Sequence, residues 1–289
     1  TIGAAVLLVA LWSAVLALGL PPPRVAGGAL VWHAHELLLG FCLAAVAGFV
    51  LTAVPEFTAT ASASPRTGRL LVLLWLLGRL GVWLSGAAGL PALALAALAH
   101  LGLIGGLLIL LLPALRTVAG RRQHAFGWAL AALFLLAAGF YVDALRGQYP
   151  MRWLLAVLGL VMVLIIVAMS RISMRIVNRS IDEAGEGGAP YLARPPKRNL
   201  AILCIVLFTL AEFWHPGGRV SGWLACAAAA ALCNLMGDWH VGRPLLRRWP
   251  FMLYAVYVCM ALGYALIGTA LLAGGPGASA GRHLLTMGA

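Results

Sequence analysis

Long apolar runs alternate with short polar gaps along the whole chain. An α-helix needs about 20 apolar residues to cross a lipid bilayer, and nine runs approach that length. The pattern predicts these membrane spans: Thr1–Leu20, Val31–Val54, Leu70–Ala88, Pro91–Leu112, Phe126–Leu145, Trp153–Met169, Asn199–Trp214, Val220–Met236 and Phe251–Leu272. A tenth span would begin near His283. Pro55, Pro113 and Pro250 fall at predicted span ends, where proline disturbs a helix least.

The predicted fold class is all-α: a polytopic transmembrane helical bundle with nine complete spans and the start of a tenth. Backbone groups inside a bilayer must be hydrogen-bonded within the chain, which favours helices where the sequence has no strand-like alternation. We expect one domain over residues 1–289. Both ends of the sequence fall inside apolar runs, so this domain is interpreted as incomplete at both ends.

The composition supports a membrane location and excludes other classes of protein. Hydrophobic residues make up 63% of the 289 residues and charged residues only 10%, against about 25% charged in soluble domains. The net charge of +12 is spread over short gaps, whereas a nucleic-acid-binding protein gathers its basic residues on one polar face. The five cysteines lie in apolar runs without a C-x-x-C pair, which excludes zinc-finger and thioredoxin-like sites.

The basic residues predict the orientation of the spans. We name the gaps after odd-numbered spans side A and the other gaps side B. Five of the 20 basic residues lie on side A: Arg24, Arg146, Arg152, Arg219 and Arg282. Arg79 is inside the third span, and the other 14 lie on side B. Because cytoplasmic loops are rich in Lys and Arg, side B and the N-terminus are predicted to be cytoplasmic.

The candidate functional residues gather at the predicted side-A ends of the spans. The stretch Trp32–Glu36 opens the second span with His33, His35 and Glu36, and His283 opens the tenth. Ionisable groups at membrane positions are functional candidates, although a single interfacial histidine is more often an ordinary surface or core residue. Residues two apart on a helix point about 200° away from each other. His33 and His35 are therefore expected to serve different neighbours, unless the first turn is irregular.

Two more polar residues lie inside predicted spans. His100, midway along the fourth span, is interpreted either as a second axial ligand or as a core imidazole bonded to a neighbouring helix. Arg79 needs a partner, for which a carboxylate such as Glu212, helix-end carbonyls or a haem propionate are the alternatives. The predicted metal ligands are His33, His35, Glu36, His283 and Met287. The predicted cofactor-binding residues are His33, His35, His100, His283 and Arg79.

Three stretches carry a resemblance to a known family. The run from Trp32 to Phe41, continuing to Pro55, resembles the signature of the NnrS family of haem- and copper-containing membrane proteins. Residues 74–80, Leu-Trp-Leu-Leu-Gly-Arg-Leu, resemble its next segment, and residues 283–289 are similar to the start of another family motif. Residues 170–175 depart from the family's Pro- and Phe-containing stretch, which indicates a divergent member.

The resemblance implies haem b and copper as cofactors, further spans in full-length members, and a role in tolerance of nitric oxide. Together with the charge bias, which places the side-A ligands near the periplasmic face, it predicts a multi-pass protein of the bacterial inner membrane, surrounded by lipid bilayer, with nitric oxide or another diatomic as ligand. Two other functions stay open, and with them the question whether the protein is an enzyme. One is a quinol-linked membrane cytochrome; the other is a cofactor-free transporter in which His33, His35 and Glu36 relay protons.

Overall fold

The computed structural model describes residues 14, 17–19, 24–117, 124–185, 190–275 and 277–288, and no strand occurs among them. The all-helical class predicted from the sequence is confirmed. The helices are α1 (Gly28–Thr58), α2 (Pro65–Ala88), α3 (Leu90–Leu115), α4 (His124–Leu145), α5 (Met151–Ala184), α6 (Pro195–Trp214), α7 (Arg219–Met236), α8 (Arg248–Ala273) and α9 (Ala278–Gly288).

Seven of these helices are long and apolar enough to cross a membrane, namely α1 to α5, α7 and α8. Helix α6 matches the predicted span Asn199–Trp214 but is not among the seven, because it carries three charged residues, Lys197, Arg198 and Glu212. Helix α9 has 11 residues, and the predicted span Thr1–Leu20 lies almost entirely outside the described residues. The predicted count of nine spans and the start of a tenth is therefore not confirmed.

Local sequence explains where the helices begin and end. Pro65 is the first residue of α2, where its missing N–H leaves no helical hydrogen bond unmade, and Ser64 Oγ accepts a hydrogen bond from Thr67 N at 3.2 Å. Gly274 follows α8 with φ of 72°, in the left-handed region that glycine adopts without strain.

Helix α5 is longer than its apolar run. It continues through 34 residues to Ala184, whereas the sequence predicted that the span would end at Met169. No glycine or proline lies between Met169 and Gly185, and Arg179 pairs with Glu183 one turn later at 2.8 Å. The polar side-B gap therefore begins as about four further turns of helix.

The first of two compact units, Thr1–Val157, contains the four helices that matter most for function. Helix α2 packs on α3, α3 packs on α4, and α1 contacts α3. Helices α2 and α3 approach closely at Gly81, where a Cβ atom would lie 2.6 Å from the Ala92 carbonyl oxygen.

The second unit, Leu158–Ala289, contains α6 to α9, which pack in sequence order. A Cβ atom at Gly268 on α8 would lie 2.5 Å from Cys226 Sγ on α7, so this pair of helices also depends on a small residue at its contact. The single domain predicted over the whole chain stays a prediction.

Candidate functional site

The helical geometry of α1 changes at the His-x-His-Glu motif. Gly28–His35 is α-helical, Glu36–Cys42 forms a wider π-helix, and Leu43–Thr58 is α-helical again. Such π-helical turns are rare and are frequent at functional sites. The change begins directly after His35, whose side chain is buried like that of Glu36.

A chain of hydrogen bonds links α1, α3 and α4 through Tyr141. His35 Nδ1 donates to Glu36 Oε1 at 3.2 Å, because a carboxylate can only accept. With neutral imidazoles, His35 Nε2 then accepts from the Tyr141 hydroxyl at 3.2 Å, and His100 Nδ1 donates to the same hydroxyl oxygen at 2.5 Å. Two buried imidazoles thus point at one phenol oxygen, and His100 Nε2 has no hydrogen-bond partner in the described part of the chain.

Arg79 on α2 is neutralised by Glu36. Arg79 Nη2 lies 2.5 Å and Arg79 Nε 2.7 Å from Glu36 Oε2, while Oε1 of the same carboxylate accepts from His35. Arg79 therefore has the carboxylate partner that was one of the three predicted alternatives. The carboxylate is Glu36 rather than Glu212, which pairs with Arg282 at 2.8 Å.

One face of α2 supplies three features of the site. Trp75 Nε1 donates to the carbonyl oxygen of Gly40 in the π-helical segment at 2.7 Å, and the Arg79 guanidinium lies 4.8 Å from the centroid of the Trp75 ring. A Cβ atom at Gly78 would collide with His100 Nε2 and Cδ2, so the glycine lets the imidazole lie against the helix. Trp75, Gly78 and Arg79 are spaced i, i+3 and i+4 and so share this face.

Sequence reasoning missed Tyr141, Trp75 and Gly78. Trp75 and Gly78 belong to the stretch 74–80 that resembles the family segment. Their helical spacing from Arg79 was the signal that could have placed all three residues on one face. Tyr141 lies in an apolar run without a motif, so nothing in its sequence neighbourhood indicates that it joins two histidines.

The cluster lies toward one end of the four helices. At a rise of about 1.5 Å per residue, His35 is about 10 Å from the start of α1 and His100 is about 15 Å from the start of α3. Arg79 lies about 14 Å from the end of α2, and Tyr141 about 6 Å from the end of α4. All four helix ends belong to side A of the charge pattern, so the polar groups lie in the side-A half of these helices.

The remaining predicted ligands are His33, His283 and Met287. His33 is half-buried on α1. His283 and Met287 are exposed on α9 in the second unit, and His283 Nδ1 donates to the Ser279 carbonyl oxygen at 2.8 Å. Among the described residues, no group of three or more His, Cys, Asp and Glu side chains is placed to hold a metal ion.

Membrane-length apolar helices and a charged, hydrogen-bonded cluster buried within the first unit define a multi-pass α-helical membrane protein with an internal polar site. The chain belongs to the NnrS family, because the family model described as NnrS protein matches residues 1–289, its whole length. The resemblance seen in the motifs is thereby confirmed, and the membership fits a membrane protein linked to the nitric oxide response. No curated protein and no solved structure gives a significant match to the chain.

Proposed function

We propose that this protein is a haem- and copper-binding protein of the bacterial inner membrane that acts in the response to nitric oxide or nitrosative stress. The observation that carries the proposal is the convergence of two buried imidazoles, His35 and His100, on the Tyr141 hydroxyl. Ionisable groups buried at membrane depth are costly and are functional candidates by default. Membership of a family associated with haem and copper supports the choice of cofactors.

The donor set of the cluster suits copper. Imidazole nitrogen is a good copper ligand, and His35 Nε2 and His100 Nδ1 point at the same oxygen. His100 Nε2 has no partner in the described residues, so it can take the proton that Nδ1 must release to bind an ion. We infer that His35, His100 and Tyr141 hold copper, while Glu36 fixes the His35 ring through its Nδ1–H, as carboxylates behind metal-bound histidines do.

The same cluster does not suit haem iron. The ring centroids of His35 and His100 are 5.2 Å apart, and the Tyr141 hydroxyl lies within hydrogen-bonding distance of both rings, where a macrocycle would have to fit. We therefore assign haem b to His283 on α9, with Met287 one turn further on the same face. The hydrogen bond from His283 Nδ1 to the Ser279 carbonyl oxygen fixes the tautomer in which Nε2 is the ligand nitrogen. His33 stays a predicted ligand.

When bound, haem iron or copper supplies a coordination position that a diatomic molecule such as nitric oxide can occupy. The residues of the chain do the rest. Arg79 neutralises the Glu36 carboxylate, Glu36 orients His35, and the surrounding helices keep bulk water from the cluster. The side-A position of these residues, which the charge bias assigns to the periplasm, suits a ligand that arrives from outside the cell.

Metal analysis with optical spectroscopy on purified protein tests this proposal. We expect a Soret band and copper in the parent protein. His35→Ala, His100→Ala and Tyr141→Phe should each lower copper affinity by at least about 10- to 100-fold, the loss found when an outer-shell partner of a metal ligand is removed, and His283→Ala should shift the Soret band. His215→Ala is the matched control, because His215 is an exposed histidine of a side-A loop. The proposal would be refuted if protein supplied with both cofactors showed neither a Soret band nor bound copper.

A proton-coupled transporter without cofactor is the second candidate. It is favoured by the continuous series of contacts from Arg79 through Glu36, His35 and Tyr141 to His100, since hydrogen-bonded chains of this kind carry protons. Metal-free protein that moves protons with a solute in proteoliposomes, and loses this activity in Tyr141→Phe, would establish it. The same metal analysis therefore separates the two candidates.

The finer topology belongs to the proposal. We infer that α6 is an additional crossing, because its 20 residues extend about 30 Å, the thickness of the bilayer core. The N-terminus and side B would then face the cytoplasm, as the basic residues predict.

A further inference from the structure

A groove of about 500 Å³ lies between the side-B ends of α3 and α4, far along both helices from the histidine cluster. Apolar side chains form most of its wall, among them Ile109 and Leu112 on α3 and Trp128 and Ala131 on α4. Ile109 and Trp128 are among the most exposed large side chains of the described residues, at 73% and 75%. The groove therefore opens on the surface that faces lipid.

The polar groups of the groove are confined to one end. Arg116 and His124 lie there, and none of the lining residues is an Asp or Glu. The exposed Arg116 side chain forms no ion pair with any described residue, and residues 117–123, which follow it in the sequence, include no Asp or Glu. His124 Nε2 donates to the Leu115 carbonyl oxygen at 3.0 Å, which holds that imidazole at the same end. The groove therefore has an apolar wall and one cationic end.

We propose that this groove binds an anionic phospholipid, with the phosphodiester against Arg116 and an acyl chain along the apolar wall. Basic pockets between membrane helices on the cytoplasmic side are suited to anionic headgroups, and a cation near such lipids adds attraction that a zwitterionic lipid lacks. The volume lies within the range of specific small-molecule sites. A quinone would offer no negative charge to Arg116.

Quenching of tryptophan fluorescence by lipids with brominated acyl chains tests this site in the purified full chain. The signal from Trp128 is the difference between the parent protein and Trp128→Phe. We expect brominated phosphatidylglycerol to quench it at lower concentration than brominated phosphatidylcholine. Arg116→Gln should weaken the phosphatidylglycerol affinity about fivefold, or about 1 kcal/mol, and leave phosphatidylcholine unchanged. Arg66→Gln, an exposed side-B arginine that does not line the groove, should change neither.

A second variant separates the apolar wall from the charge. Ala131→Phe fills the apolar part of the groove without altering Arg116. Because the acyl chain would then have no space, this variant should abolish the preferential quenching by phosphatidylglycerol. Equal quenching by both lipids, or an Arg116→Gln protein that behaves like Arg66→Gln, would overturn the proposal. Displacement of phosphatidylglycerol by an equimolar short-chain ubiquinone would overturn it as well, because the groove would then be a quinone site.

Discussion

Glu36 is the residue on which the polar cluster depends. One of its oxygens accepts from Arg79 and the other from His35, so a single buried carboxylate neutralises a cation and orients an imidazole. Removing one member of a buried ion pair leaves the other charge uncompensated in a low dielectric, which costs far more than the pair contributes. The cluster is therefore sensitive to single substitutions and tolerant of paired ones.

A double-mutant cycle tests this dependence. Glu36→Gln and Arg79→Gln should each destabilise the protein by about 3–5 kcal/mol, since the first leaves the partly buried Arg79 charge unpaired and the second the buried Glu36 charge. The double variant should be less destabilised than the sum, because neither charge then remains. The measurement is equilibrium unfolding of reconstituted protein in a graded denaturing detergent.

Arg66→Gln is the control for this cycle, and a surface substitution of this kind should stay within about 0.5 kcal/mol of the parent. Strictly additive effects of the two buried substitutions would contradict the pairing of Glu36 with Arg79.

The need for a partner at Arg79 was predictable from sequence, but its identity was not. Periodicity relates residues within one helix, whereas Glu36 and Arg79 are 43 positions apart and His35 and Tyr141 are 106 apart. Contacts over such separations depend on how helices pack. The sequence marked His35, Glu36, His100 and Arg79 as candidates, and it had no means of bringing them together.

At the scale of the helix, the π-helical segment of α1 decides which way the motif faces. Its seven residues have a wider turn than an α-helix, and Trp75 donates a hydrogen bond to one of its carbonyl oxygens. The expectation of divergent side chains at His33 and His35 assumed regular helical geometry. Regular α-helical geometry covers both histidines and ends at His35, directly before the carboxylate that contacts both His35 and Arg79.

Deletion of Leu37 tests the role of this segment. Loss of one residue should convert the π-helix to regular α-helix and turn the preceding residues by about 100° relative to the following ones. His35 and Glu36 would then lose Tyr141 and Arg79 as partners. We expect a loss of stability at least as large as that of Glu36→Gln, measured by the same detergent unfolding.

Leu37→Ala keeps the length of α1 and is the control for the deletion, so it should retain most of the parent stability. A deletion variant as stable as Leu37→Ala would show that the segment does not position the cluster.

Proline and glycine explain some helix ends, as at Pro65 and Gly274. Pro55 and Pro113, which the sequence placed at span ends, lie instead inside the last turns of α1 and α3. Helix α5 shows the limit of apolar runs. The run ends near Met169 because the next residues are charged, but charged residues with good helix propensity continue a helix outside the bilayer as readily as inside a soluble domain. Only Gly185 provides a physical reason to stop.

For the whole molecule, the arrangement of basic residues makes a prediction about topology. If side B is cytoplasmic and α6 crosses the membrane, Leu192 and His215 lie on opposite sides, and both are exposed. In a cysteine-free background, His215→Cys should react with a membrane-impermeant maleimide in intact spheroplasts. Leu192→Cys should react only after permeabilisation.

Arg66→Cys provides the reference for side B and should behave like Leu192→Cys. Labelling of Leu192→Cys and His215→Cys from the same side would contradict the crossing of α6. Reversed labelling of all three positions would contradict the predicted orientation.

The fold class followed from sequence because runs of about 20 apolar residues have few other structural solutions. The number of spans did not follow with the same certainty, because Lys197, Arg198 and Glu212 bring α6 close to the boundary between a membrane helix and a surface helix. Such borderline segments depend on partners, and Glu212 has one in Arg282.

The ion pair between Glu36 and Arg79 has a consequence for biosynthesis. Helix α1 leaves the ribosome before α2, so the carboxylate is already available when the arginine-bearing segment has to enter the bilayer. Inserting an arginine without a paired carboxylate costs at least about 2.5 kcal/mol. The Glu36 carboxylate, already present in α1, lowers that cost. Helices α1 and α2 should therefore insert as a hairpin, and a chain in which α2 is synthesised without α1 should integrate poorly.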